Sequence, residues 1–173
     1  MNLTLQQLSD REALRELIAA YCRAVDRQDL ALMRRLYHPD AYHDHGGLFR
    51  GARDAFIAWL EKTLGDMVSH HFVGNILLSV TGDRAEGEVY SINTHLLPGT
   101  PAREYIAGGR YLDEYIRVGG AWLFKRRERV IDWSHERVAA PGGPSDQILA
   151  GVSGSGDRSF AALPQLSAKL RAR

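Results

Sequence analysis

"HFVGNILLSV" (His71–Val80), "TGD" (Thr81–Asp83) and "RAEGEVYSINTHLL" (Arg84–Leu97) decide the fold class. The two long runs are rich in β-branched and aromatic residues, and the short Gly-containing break between them reads as a hairpin turn. "REYIAGGRYLDEYIRV" (103–118) and "AWLFKRRERVIDW" (121–133) repeat the pattern around "VGG". Four strands therefore form an antiparallel meander, with Gly108–Gly109 marking a bend or bulge. Upstream the periodicity is helical. "SDREALRELIAAYCRAVDRQD" carries Leu14, Leu17, Ile18, Tyr21, Cys22 and Val25 on one stripe, and Ser9 and Glu12 have capping-box spacing at its start. "DLALMRRLYHPD" predicts a second helix stopped by Pro39, "AYHDHG" a short strand, and "RDAFIAWLEKTLGD" a third helix. Helices followed by hairpin-linked strands predict an α+β domain.

The totals narrow the possibilities. A chain of 173 residues suits one domain with a sizeable core. A formal charge of +1 with no basic stripe gives no reason to expect nucleic acid as a partner. No apolar run is long enough for a bilayer, and the N-terminus lacks the blocks of a secretion signal, so the expected setting is cytoplasmic with no membrane partner. One cysteine, Cys22, excludes an internal disulfide framework. The folded domain is expected over residues 1–135. Residues 136–173 form a Gly/Pro/Ser-rich tail that is expected to be mobile, with "AALPQLSAKLRAR" offering a short amphipathic helix.

Polar residues stand where a packed core is expected. On the strand 84–97, Ala85, Gly87, Val89, Ser91, Asn93 and His95 share one face. Small residues leading to Asn93 and His95 suggest a cavity, because buried polar groups need water, a ligand or one another. In "SHHFVGN" (69–75), alternation lets only one histidine face inward, and His71 is the choice, with His70 outward. Asp26, near the end of the first helix, is a candidate neighbour for His71. A carboxylate beside an imidazole fixes its tautomer and favours its protonated form. Against these readings, Asp26 can simply pair with Arg23, Tyr21 can be core packing, and Arg126, Arg127 and Arg129 can form a solvated charged edge.

The motifs "YCRAVDRQD", "YHPDAYHDHGGLFRG", "HHFVGN" with "GDRAEGEVY", "GGRYLDEY" and "GGAWLFKRRERVIDW" occur in an order and spacing that resembles the SnoaL-like branch of the nuclear transport factor 2-like superfamily. The resemblance covers about residues 8–135. It implies an NTF2-like cone, with three helices on a strongly curved, mainly antiparallel sheet around one pocket. It also implies a homodimer or higher homo-oligomer joined through the sheets. Dehydratases and dehydrochlorinases of the family, scytalone dehydratase among them, share an Asp–His dyad, which maps onto Asp26 and His71. Tyr21, His95 and Arg127 match further catalytic positions in individual members. The tyrosine that orients a water in scytalone dehydratase falls near His45, a departure.

The resemblance, with these residues in the matching positions, implies a cofactor-independent lyase of the dehydratase or elimination type. His71, polarised by Asp26, is the base, and Tyr21, His95 or Arg127 meets the developing charge. His45, Phe49, Phe56, Trp59, Asn93 and Trp133 are the expected substrate-binding residues, with the aromatic ones as walls. The expected substrate is small and apolar or aromatic, such as a lignin-derived diol. His43 and His45 share a strand face, so with His71 or His95 they offer a weak metal-site pattern; the expectation is no metal and no cofactor. Ser69 and Ser91 lack a nucleophile elbow. The alternatives are a ketosteroid-type isomerase and a non-catalytic module that binds a hydrophobic ligand or dimerises.

Overall fold

The computed structural model describes residues 3–140 and 149–173. Helix α1 (Leu5–Asp26) begins one turn earlier than Ser9–Glu12 suggested. Thr4 is its cap, and the Gln7 side chain reciprocates on the Thr4 backbone, so the capping box belongs to that pair. Asp29 caps α2 (Leu30–Leu36), whose C-cap Tyr37 opens strand β1 (Tyr37–Asp44). A short strand the sequence did not reveal, β2 (Arg50–Ala52), leads into α3 (Arg53–Leu64). The meander follows as β3 (Val68–Thr81), β4 (Arg84–Leu97), β5 (Arg103–Val118) and β6 (Ala121–Val138). β6 therefore runs past the boundary expected at residue 135.

The sheet order is β2-β1-β6-β5-β4-β3, antiparallel except for the parallel β1–β6 pair. The architecture is the α+β arrangement of an NTF2-like cone, with a curved, unclosed sheet and the helices against its inner face. Two bulges in β6 decide which of its residues face inward. Glu114 pairs with Arg126 while Tyr115 pairs with Phe124, so Lys125 is the extra residue. That slip puts both Phe124 and Arg127 on the buried side. Gly108 pairs with Trp133 and Gly109 with Ile131, so Asp132 is extra and the parity flips again. Gly109 is required there, because a Cβ would lie 2.1 Å from the Val130 carbonyl oxygen.

The core joins α1 (Leu14, Leu17, Ile18, Tyr21), α2 (Leu32, Met33) and α3 (Phe56, Leu60) to Val89, Tyr111, Tyr115 and Phe124 of the sheet. Inside it lies a fully buried ion pair. Arg127 donates from Nε and Nη2 to the two carboxylate oxygens of Asp113, each at 2.7 Å, and Tyr115 donates its hydroxyl to Asp113 at 2.7 Å. Tyr21, Tyr111 and Phe124 place their rings 4.1, 4.1 and 4.2 Å from the guanidinium carbon. The cation is thus paired and enclosed by π faces, the arrangement a buried charge needs.

The expected mobile tail falls in part on 141–148, outside the described residues. Beyond it, α4 (Arg158–Ala162) and α5 (Pro164–Arg171) return to α1. Arg23 lies 4.7 Å over the Phe160 ring, Lys169 and Arg173 reach Glu16, and Leu170 is buried. No helix among the described residues is long and apolar enough to cross a membrane.

Candidate active site

Asp26 is the last residue of α1, and the chain turns sharply behind it. Gln28 has φ 53°, and its amide donates to the Gly65 carbonyl at 3.0 Å, tying the helix end to the segment before β3. This brings Asp26 beside His71. Asp26 Oδ1 lies 2.6 Å from His71 Nδ1, and Oδ2 accepts the His71 backbone N–H at 3.0 Å. Two bonds from one carboxylate fix both the ring and the strand that carries it. Nδ1 faces the carboxylate, so Nε2 is the nitrogen left for other partners. The His71 side chain is 5 % exposed, whereas His70 is exposed on the opposite face of β3.

A cavity of about 370 Å³ opens on His71, Tyr21, His95, Asn93, His45 and Trp59. Val25, Leu60, Leu64, Met67, Leu97, Ala107 and Ile131 supply apolar lining. The His71 ring stands 5.5 Å from His95 and 6.5 Å from Tyr21, edge-on to both. His95 Nδ1 is held by Ser69 Oγ at 2.9 Å. Burial first, and then the neighbouring His71, pushes its pKa down to about 4. Burial likewise holds the Tyr21 phenol protonated, with its pKa well above the usual range. Its hydroxyl has no protein partner among the described residues. Asn93 donates to Tyr111 Oη at 3.0 Å, and its Oδ1 is buried without a partner.

Four residues expected at the pocket, Arg127, Phe56, Trp133 and Phe49, do not line it. Arg127 is sealed into the core by Asp113 and three rings, and the cavity's arginine is Arg129, two residues on along the same strand face. Arg129 donates to Ser91 Oγ at 2.9 Å and lies 4.8 Å over the Tyr111 ring. Phe56 is fully buried with its ring stacked 3.5 Å from His43, behind the cavity wall. Trp133 faces the outside of the sheet over Gly108, because the bulge at Asp132 reverses the alternation that would have turned it inward. Phe49 stands in a second layer, stacked on Trp59 at 5.4 Å. Tyr105 and Glu136, which pair across β5 and β6, line the cavity without a sequence signal to mark them.

His43 lies on β1 and His45 one residue past its end, and the two side chains engage each other. His43 Nε2 lies 2.8 Å from His45 Nδ1, and His43 Nδ1 lies 2.9 Å from the Tyr37 hydroxyl. Among the described residues no group of three or more His, Cys, Asp or Glu side chains is placed to hold a metal ion.

Residues 6–128 match the family described as the SnoaL-like domain. Protein Rv2910c of Mycobacterium tuberculosis, itself uncharacterised, is 30% identical over 128 residues, 72% of this chain and 87% of that protein. Solved structures with this fold include the following two. A scytalone dehydratase-like protein of Novosphingobium aromaticivorans is 24% identical with a TM-score of 0.68, covering 80% of this chain and 97% of that one. The hexachlorocyclohexane dehydrochlorinase LinA-type3 of Novosphingobium barchaimii is 17% identical with a TM-score of 0.73, covering 82% and 99%.

Proposed function

The chain belongs to the SnoaL-like domain family, and on that premise we propose that it is a cofactor-independent lyase of the dehydratase or elimination type. The carrying observation is the Asp26–His71 contact of 2.6 Å at the wall of a largely apolar cavity. In this mechanism His71 Nε2 takes a proton from a substrate carbon, and that C–H electron pair forms the new double bond. The C–O bond breaks with its pair on oxygen, and the leaving hydroxyl receives the proton from His71 and departs as water. Asp26 balances the imidazolium that exists between the two transfers. The Tyr21 hydroxyl and Arg129 offer hydrogen-bond donors to charge developing on oxygen. Trp59, Leu60, Leu64, Met67 and Ile131 suit an aromatic or polycyclic hydroxylated substrate, and the cavity volume fits one or two fused rings. A lignin-derived aromatic diol is one such molecule. The scytalone dehydratase-like protein and the dehydrochlorinase among the structural neighbours support elimination chemistry.

A panel of phenolic diols and cyclic hydroxy-ketones, with products identified by mass, tests this proposal. Loss of water or another small fragment is the expected outcome, with activity falling in Asp26→Asn. A product of unchanged mass with a shifted double bond identifies an isomerase instead. Absence of both turnover and binding across the panel leaves a non-catalytic module and overturns the lyase.

The proposed partner beyond substrate is a second copy of the chain. Phe72 pairs with Ile92, Ile92 with Gly108, and Gly108 with Trp133, forming an apolar row across the outer sheet face. Phe72 is 63% exposed and Trp133 48%. Sedimentation is expected to show a dimer that Phe72→Asp converts to monomer; a wild-type monomer contradicts it.

A further inference from the structure

We propose that Tyr37 and His43 are positioning residues that lock His45 in its Nε2–H form, so that His45 presents a neutral N–H donor to a substrate oxygen. This rests on the lyase reading for its purpose, though not for its geometry. Tyr37 and His43 are buried and do not line the cavity, whereas His45 does. Their rings are held in place: His43 stacks on Phe56 at 3.5 Å and 9°, and His45 lies beside His43 and nearly coplanar with it, at 13°.

The direction of the hydrogen bonds follows from counting protons. Among the described residues the Tyr37 hydroxyl has one hydrogen-bond partner, His43 Nδ1 at 2.9 Å. A buried O–H must donate, so His43 Nδ1 is the acceptor. Neutral His43 then carries its proton on Nε2 and donates it to His45 Nδ1 at 2.8 Å. Neutral His45 in turn carries its proton on Nε2, which has no protein partner among the described residues. The reverse chain, from His45 through His43 to Tyr37, strands the phenolic proton in the core.

Both imidazoles are uncharged at neutral pH. Burial and the adjacent His45 put His43 well below the ordinary range, while burial and Arg129 hold His45 at about 4. Burial also keeps the Tyr37 phenol protonated. The relay therefore fixes a donor rather than delivering a proton. His45 stands one residue past the end of β1 and His71 lies on β3, far along the sheet order, so donor and base reach one cavity from separate parts of the chain. This arrangement fits a substrate whose removable proton and charge-accepting oxygen lie at different ends of the reacting group.

Nitrogen NMR of the intact protein labelled with ¹⁵N-histidine distinguishes a protonated ring nitrogen from a bare one. At pH 7 His45, assigned by loss of its signals in His45→Gln, is expected to show Nε2–H and a bare Nδ1. Tyr37→Phe, which keeps the ring, is expected to release His43 and give His45 a mixture of forms. With 4-nitrophenolate as an aromatic oxyanion probe, the His45 Nε2–H proton is expected to move downfield, and His45→Ala to bind it ~10-fold more weakly. A wild-type His45 carrying its proton on Nδ1, an unaltered tautomer in Tyr37→Phe, or a His45 signal unmoved by the probe each overturns the proposal. The His71→Ala protein separates the two readings: retained turnover there ends the dyad mechanism, while the His45 spectrum is judged independently.

Discussion

Asp113→Asn removes one charge from the buried ion pair while keeping the side-chain shape. Asp113 and Arg127 are both fully inaccessible, so the change leaves a guanidinium in the core with no counter-charge. The three rings around Arg127 attract the cation but cannot replace a bidentate carboxylate. Breaking such a pair costs about 3–5 kcal/mol, a large share of the roughly 5–15 kcal/mol that holds a domain folded. At about 2 kcal/mol per molar of urea, the unfolding midpoint falls by about 2 M. The companion is the double variant Asp113→Leu/Arg127→Met, which removes both charges and should recover most of the loss. Urea unfolding followed by circular dichroism measures both. A single variant within about 0.5 kcal/mol of wild type, or a double variant no better than the single, refutes the claim that Arg127 is a structural cation. Turnover per folded molecule in the double variant should persist, since Arg127 does not reach the cavity; its abolition in a folded protein returns Arg127 to the chemistry.

His45 and His95 stay neutral in the fold down to about pH 4 but take protons near 6.5 when unfolded. More protons on the unfolded chain between those values means that stability falls as pH drops from 6.5 to 4, and His45→Gln should flatten the slope in urea midpoints taken at pH 7 and 5. Arg129→Met should weaken binding of 4-nitrophenolate ~10-fold, read by equilibrium titration, while leaving the urea midpoint closer to wild type than Asp113→Asn does. Gly109→Ala drives a Cβ into the Val130 carbonyl and should cost about 2 kcal/mol or more in the same denaturation assay, disturbing the bulge that turns Trp133 away from the cavity and Glu136 toward it.

Much of this structure is legible in the sequence because its strands are long and separated by Gly-containing turns. β4 and β5 coincide with the runs 84–97 and 103–118, and the alternation that placed Asn93 inward holds along β4. Alternation fails in β6, where the extra residues Lys125 and Asp132 each reverse the faces. Counted from Arg127 and Arg129, simple parity would have brought Trp133 in. A bulge depends on how partner strands meet, and only the Gly108–Gly109 pair hinted at one of the two. Arg127 and Arg129 share a face, as their spacing implies, yet their different depths in the cone give one to the core and the other to the cavity. The proximity of Asp26 and His71, 45 residues apart, depends on how α1 crosses the sheet, which no local pattern encodes. The helix starts earlier than Ser9 for a simpler reason: Thr4–Gln7 and Ser9–Glu12 both fit a capping box, and the helix extends to the earlier one.

The central claim is that His71 is the base. Its most direct test is the kcat of His71→Ala against wild type on whichever member of the diol and hydroxy-ketone panel the wild type converts, with folding checked by circular dichroism. The expected result is a folded protein whose turnover falls ~10²–10⁴-fold. Undiminished turnover in that protein contradicts the mechanism, whatever the distance between Asp26 and His71.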